Sequence, residues 1–367
     1  MRKYICIAPF PPPIMGQSKV TLAVVDALYG SQFYKLDSNK SSLASGSFSF
    51  SRLTDLLKIF WRFLIIKKDS DTYTYHSVAE SFLGNLRDLI IFFLNYRNLK
   101  RHYVHVLGGT SLRKIISSNS MKGSINRFFI KRLGGVIVEG SLNKSYFEKI
   151  IDSSKIHIIP NFVESYLFAD DEIIKKKFQF DSNEKINILY LSNLIPGKGY
   201  VELANAFMEL ESSIRNNFNL YFVGGFESRE DEINFKSSIS SCSQITYLGK
   251  FIDHAEKRLL YDKTHIFCLP TYYPYEGLPI AILEAYASGC AVITTNHSII
   301  PDVFSDSRNG FLVEKKSISS LKSCLLKVFD SRMYLERYAF FNRDMALQNF
   351  RIEKFSKKLR EAFNHYA

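Results

Sequence analysis

Residues 265–295, HIFCLPTYYPYEGLPIAILEAYASGCAVITT, decide the fold. A β-rich run, HIFCL, ends in a loop, an apolar helical stretch opens near Pro279, and a second β-rich run, AVITT, follows. Strand, helix and strand make one βαβ unit. Outward from it the pattern repeats: INILYL (186–191) leads to a helix after Lys198, LYFV (220–223) to one around Arg229, ITYL to one near Asp253, and AVITT is followed by FLV (311–313). Strands separated by helices build a parallel sheet covered on both faces. The first half carries the same theme in YICIA, TYTYH, YVHVL, GVIVE and KIHIIP, which predicts a second doubly wound unit.

A chain of 367 residues, 46% hydrophobic and 23% charged, has ample material for buried cores, so disorder and fibre are excluded. The length favours two domains. They are expected over 1–165 and 186–340, joined by a turn-rich link over 166–185 that contains DDEIIKKK. Residues 331–366 hold no strand candidate, and a terminal helix over 341–367 is expected to pack back on the first domain. SSLASGSFSFS (41–51) reads as a mobile loop. Ligands of such sheets bind at the carboxyl ends of the strands, in this architecture a cleft between the domains.

The formal charge is +12, and all of the excess lies in the first half, where residues 1–165 hold 23 Lys and Arg against 11 Asp and Glu. Between Asp88 and Glu139 stand nine basic residues and no acid. That stretch wants an anionic partner. Its cations interleave with apolar residues, as do those of LLKIFWRFLIIKK (56–68), which holds the only tryptophan, Trp61. Such mixtures suit anionic membrane surfaces or nucleic-acid grooves. Apolar helix faces with solvated basic backs would read alike.

Five scattered cysteines without a CxxC pair argue against a disulfide framework or a zinc site. Met1-Arg2-Lys3 has the charge of a signal peptide, but Pro9 and Pro11 to Pro13 break the apolar run behind it, so a first strand is expected instead. No apolar run approaches the ~20 residues of a membrane-spanning helix. The expected location is the cytoplasm.

The quoted stretch also carries the chemistry. Amides of Gly277 and Leu278, at a helix start opened by Pro279, suit phosphate or sugar oxygens. Glu284 lies eight residues beyond Glu276, about two turns on, so two carboxylates would line one pocket wall and accept hydrogen bonds from vicinal hydroxyls. As a pair alone, they could equally be ordinary surface glutamates. Asp69-Ser70-Asp71 has the form of a metal-binding Asp-x-Asp but precedes a strand, and reads as a charged turn. PGKG (196–199) lacks P-loop spacing. The three Asn-x-Ser triplets, at Asn39, Asn143 and Asn296, carry no meaning in a cytoplasmic chain.

Glu-x7-Glu with EGLP at its head and LEAYASGCAVITT behind it resembles the retaining glycosyltransferases of family four. SNLIPGKGYVELANAF is similar to that family's phosphate loop, FVGG, ITYLGK, NGFLV and IPNF occur in its order, and PPPIMGQSKV resembles its glycine loop. The resemblance implies the GT-B fold, α/β with two facing Rossmann-like domains and an interdomain cleft. It further implies that Lys198 contacts the donor diphosphate, Glu284 the nucleotide ribose and Glu276 the transferred sugar, with amides from Gly16, Gly277 and Leu278.

Two positions depart from the family pattern. Asn193 stands where arginine is usual, which removes a fixed charge from the diphosphate clamp. Leu107 stands where a histidine is usual before the glycine pair of YVHVLGGT. His105, two residues earlier on the same strand face, and His76, closing TYTYH, are the alternatives for a catalytic role, or are simply interior histidines. The expected activity is transfer of a hexose from a UDP- or GDP-type nucleotide sugar to a lipid-linked saccharide in bacterial surface polysaccharide assembly. The protein would be peripheral on the inner membrane face, with no resident cofactor, no metal called for by any motif, and no nucleic acid as partner. A nucleotide-sugar epimerase and a non-catalytic membrane-binding subunit of the same fold are the alternatives.

Overall fold

The computed structural model describes residues 2–12, 16–29, 31–38, 50–180, 184–250 and 253–364. The chain divides into two compact units, Met1–Asn161 with Glu353–Ala367, and Phe162–Ile352. Most of the stretch expected as a mobile loop, residues 41–49, lies outside the described residues.

The first unit alternates β1 (Lys3–Ala8), α1 (Gly16–Ala27), β2 (Gln32–Asp37), α2 (Phe50–Ile65), β3 (Thr72–Ser77), α3 (Phe82–Leu94), β4 (His102–Val106), α4 (Thr110–Ser117), α5 (Met121–Ile130), β5 (Gly135–Val138), α6 (Ser141–Phe147) and β6 (Ile156–Ile158). Its six parallel strands lie in the order β2-β1-β3-β4-β5-β6. The central strands β3, β4 and β5 are buried along their whole length, as a sheet covered on both faces requires. At the edge, β2 keeps little buried beyond Leu36, and no apolar run announces it in the sequence.

The second unit runs α7 (Asp171–Lys177), β7 (Ile186–Leu191), α8 (Tyr200–Met208), α9 (Ser212–Arg215), β8 (Phe218–Val223), α10 (Arg229–Ile239), β9 (Ile245–Tyr247), α11 (His254–Asp262), β10 (Ile266–Leu269), α12 (Ile280–Ala287), β11 (Ala291–Thr295), β12 (Gly310–Val313), α13 (Ile318–Asp330) and α14 (Leu335–Asn349). Its parallel sheet has the order β12-β11-β10-β7-β8-β9. The chain therefore moves outward from β7 in one direction through β8 and β9, then starts again on the other side at β10. The gap between the ends of β7 and β10 is the topological switch point, where loops diverge and a ligand can enter.

Residues 166–185, expected as a link, lie in the second unit and contain α7. DDEIIKKK has the ends of a short helix: the Asp170 carboxylate accepts from the Ile173 amide at 2.8 Å. The buried Lys177 ammonium donates to the carbonyls of Ser288 and Gly289, at 2.7 and 3.1 Å, and so closes the carboxyl end of α12. The terminal stretch is two helices, α14 and α15 (Ile352–Asn364), rather than one. From α15, Phe363 packs among Tyr4, Tyr73 and Tyr103 of the first sheet, with ring centroids 4.5 to 6.2 Å apart.

Candidate functional site

At the switch point two loops are sewn together. After β7 the chain passes Asn193 and turns through Pro196–Gly199 before α8; after β10 it passes Pro270 to Pro279 before α12. The Tyr272 amide donates to the Gly197 carbonyl at 2.7 Å. Gly199 has φ +79°, and a side chain there would place its Cβ 2.3 Å from the Pro270 carbonyl oxygen. Only glycine lets the two loops approach this closely.

This seam brings Lys198 to Glu276. The Lys198 ammonium donates to both carboxylate oxygens, at 2.9 and 2.8 Å, and lies over the Tyr273 ring. Thr271 donates from its hydroxyl to the same carboxylate at 2.7 Å. Glu276 is buried and Lys198 only partly so, leaving the cation nearer to solvent. His297 donates from Nε2 to the Tyr273 carbonyl at 2.7 Å, and burial holds its imidazole below its ordinary range. Around this seam, Gly197, Tyr272, His297, Lys315 and Lys316 line a pocket of about 420 Å³.

Glu284 belongs to a second buried pair. Its carboxylate is bonded to the Lys257 ammonium and accepts from the Tyr261 hydroxyl at 3.4 Å. Lys257 and Tyr261 lie four residues apart, on one face of α11. The expectation that both glutamates start one helix face is corrected here. Pro279 is the residue before α12, not its first-turn proline, so Glu276 sits in the loop and Glu284 in the helix. Gly277 and Leu278 lie between them, at the entrance to α12.

Asn193 is exposed beyond the end of β7, and its carbonyl accepts from the Tyr190 hydroxyl at 3.1 Å. In the first unit, Gly16 opens α1, while residues 13–15 of its glycine loop lie outside the described residues. Both candidate histidines are fully buried. His76 bonds through Nε2 to Asp88 at 3.1 Å and through Nδ1 to His102 at 3.2 Å. His105 bonds to the Tyr75 hydroxyl at 2.7 Å, and burial presses its pKa down to about 3. Strand β4 runs to Val106, past His105, so that ring stays inside the sheet. Asp69 bonds to Lys3 and Thr72, as a charged turn does, and Asn143 is buried against the Gly108 carbonyl.

Sequence reasoning missed Thr271, Lys257 and the buried Glu139, which accepts from the Gly108 amide at 2.9 Å and from Asn161 at 2.7 Å. Thr271 stood five residues before Glu276, within reach of a loop that doubles back. A lysine four before a tyrosine on α11 was the signal for the other pair. Nothing local in the sequence ties Glu139 to the glycine pair thirty residues upstream.

Residues 170–343 match the family of glycosyl transferases group 1. An uncharacterized glycosyltransferase of Methanocaldococcus jannaschii is 23% identical over 83% of this chain and 78% of its own. An Escherichia coli UDP-Gal:α-D-GlcNAc-diphosphoundecaprenol α-1,3-galactosyltransferase is 25% identical over 59% of this chain and 56% of its own. The Anabaena protein HepE, crystallised with UDP-glucose, superposes with a TM-score of 0.72 over 99% of this chain and all of its own, at 14% identity. The fold is thus the α/β, two-domain GT-B architecture, and the matches support a glycosyltransferase.

Proposed function

We propose that the chain is a retaining glycosyltransferase that moves a hexose from a nucleoside-diphosphate sugar to a saccharide carried on a lipid diphosphate, at an anionic membrane face, in surface polysaccharide assembly. The observation that carries this reading is the Lys198–Glu276 pair at the β7/β10 switch point. A buried carboxylate holds a partly buried ammonium where the chain's topology opens a ligand site. Lys198 would turn to the donor diphosphate and stabilise the charge that develops as the sugar–phosphate bond breaks. Glu276, kept in place by Thr271, would then accept from the hydroxyls of the transferred sugar. The acceptor hydroxyl bonds to the anomeric carbon on the face the diphosphate leaves, and its proton passes to a departing phosphate oxygen.

Glu284, with Lys257 and Tyr261, would receive the nucleotide ribose. The chemistry is assigned without His76 and His105, whose rings are committed to the interior of the first unit. Support for the donor class comes from the UDP-glucose complex of the Anabaena protein, and for the acceptor class from the name of the Escherichia coli relative. A screen of nucleotide sugars by release of nucleoside diphosphate tests the reading. It expects one donor to be turned over by the native protein and on the order of a hundredfold more slowly by Glu276→Gln. Release from no donor, in the presence of lipid-linked acceptors, would refute it.

A further inference from the structure

Helix α3 buries Ile91 and Phe92 in the core as usual, but it buries charge beside them and turns an apolar surface outward. Of its thirteen residues, FLGNLRDLIIFFL, the polar Asn85, Arg87 and Asp88 are buried, whereas Phe82 is 70% exposed and Phe93 69%, with Leu86 also exposed between them. A surface helix ordinarily keeps such polar residues on its outward face. Burying its charges demands partners, and the first unit supplies them: Arg87 donates to Asp88 at 2.7 and 2.9 Å, Ala79 donates its amide to Asp88 at 2.8 Å, and His76 completes the shell. Burial alone would raise the Asp88 pKa, but Arg87 and His76 outweigh it and hold the carboxyl at about 2. An interior polar network of this kind makes sense where the outward face must be free of charge.

The helices that pack against α3 extend that face. On α2, Leu57, Trp61 and Leu64 stand outward at the spacing of one helical stripe, and on α5 so do Met121, Ile125 and Phe128. The seam between α3 and α5 is continuous. Asn85 and Asn126 exchange amide hydrogen bonds at 2.9 and 3.3 Å, the Lys122 ammonium lies 3.9 Å from the Phe82 ring centroid, and Tyr96 stacks on Phe128. Three neighbouring stripes of large apolar side chains exceed what a solvated face ordinarily shows. Lys58 and Arg62 are exposed on α2, whose one acid is Asp55, and Arg97, Lys131 and Arg132 are exposed just beyond α3 and α5, in a stretch with no acid between the buried Asp88 and Glu139.

We infer that the outward faces of α2, α3 and α5 form a docking surface that embeds in the headgroup region of an anionic lipid bilayer. Apolar stripes enter the boundary with the acyl chains, to a depth of ~5–10 Å, while the cations meet lipid phosphates. A second copy of this chain is a poorer occupant, because like charges would face each other across such a contact. The inference places the lipid-linked acceptor of the proposed reaction beside this unit, but the docking itself does not depend on that activity.

Trp61, the only tryptophan, is 63% exposed on α2 and reports directly. The full chain is titrated with phosphatidylglycerol and with phosphatidylcholine vesicles. The expected result is a blue shift and quenching by brominated acyl chains with the anionic vesicles, weakened but not abolished by 0.5 M salt. The triple variant Phe82→Glu/Leu86→Glu/Phe93→Glu, whose changes are all at exposed positions, should lose at least tenfold in partitioning with an unchanged circular dichroism spectrum. Glu276→Gln should dock like the native protein, which separates failure of docking from failure of the catalytic reading. No spectral shift with either vesicle overturns the inference. So does undiminished binding of the triple variant, or a shift driven by protein concentration alone, which would assign the face to a second copy.

Discussion

Helices α3 and α12 each bury a carboxylate, and they do it for opposite ends. In α12 every residue from Ile282 to Ala287 is buried, and Glu284 is a polar group placed in an apolar helix with one lysine and one tyrosine reaching it from α11. In α3 the buried Asp88 sits among Arg87, His76 and a backbone amide, and the outer surface of the helix is apolar. The first arrangement keeps polar atoms at the carboxyl edge of a sheet, where a ligand can use them. The second removes polar atoms from a surface. A buried charge is therefore informative only together with what the opposite face of its helix does.

The largest effect expected from this contrast follows Glu284→Ala. It strands the buried Lys257 charge and should cost about 3–5 kcal/mol of stability, besides weakening nucleotide binding. The double variant Lys257→Met/Glu284→Met should recover much of that stability but not the binding, as read from denaturant titration and calorimetry. A double variant no more stable than Glu284→Ala would mean that the pair is not the coupled unit described. Next, Glu276→Gln should lower turnover on the order of a hundredfold, while nucleoside diphosphate affinity changes far less. Equal losses in both would move Glu276 from the sugar to the nucleotide.

The first unit should carry an acid liability of its own. Burial keeps His76, His102 and His105 neutral in the folded chain, with His105 at about 3 against an ordinary 6.5. Below pH ~6.5 the unfolded imidazoles take up protons that the folded ones refuse, so stability is full above that pH and falls as pH drops. For His105 the loss is roughly 1.4 kcal/mol per pH unit down to its folded pKa. Replacing it by Asn, which can keep the Tyr75 contact, should flatten the decline in melting temperature between pH 6.5 and 4.5. An unchanged slope would show that His105 is not the group that resists the proton.

The smallest effect is expected of Asn193→Arg. The exposed side chain stands beyond the end of β7, and a new charged hydrogen bond to the donor diphosphate contributes roughly 1.5 kcal/mol, about a tenfold gain in affinity. No gain in calorimetry would mean that the loop points away from the phosphates.

Much of this was legible in the sequence because buried parallel strands are short apolar runs separated by helices, and their order survives without any contact information. Lys198 and Glu276 could be named because the loops that hold them are marked by PGKG and EGLP. What could not be read came from pairings across distance. Lys257 meets Glu284 only because α11 packs beside α12, and Thr271 reaches Glu276 only because the loop turns back on itself. His105 looked available because alternation puts it on the face of Leu107, but the ladder continues to Val106 and encloses it. The mixed inner face of α3 was hidden for another reason: a helical pattern does not show that Asp88 and Arg87 go in beside Ile91 and Phe92 until their partners are placed.

Transfer chemistry at the switch point is tested most directly by the anomeric configuration of the product. With an α-configured nucleotide sugar and a lipid-linked saccharide acceptor, proton NMR should show an α-linked product with release of nucleoside diphosphate. Both should form on the order of a hundredfold more slowly with Glu276→Gln, although that variant still binds the diphosphate. A β-linked product, or transfer undiminished in Glu276→Gln, would contradict the assignment of this site.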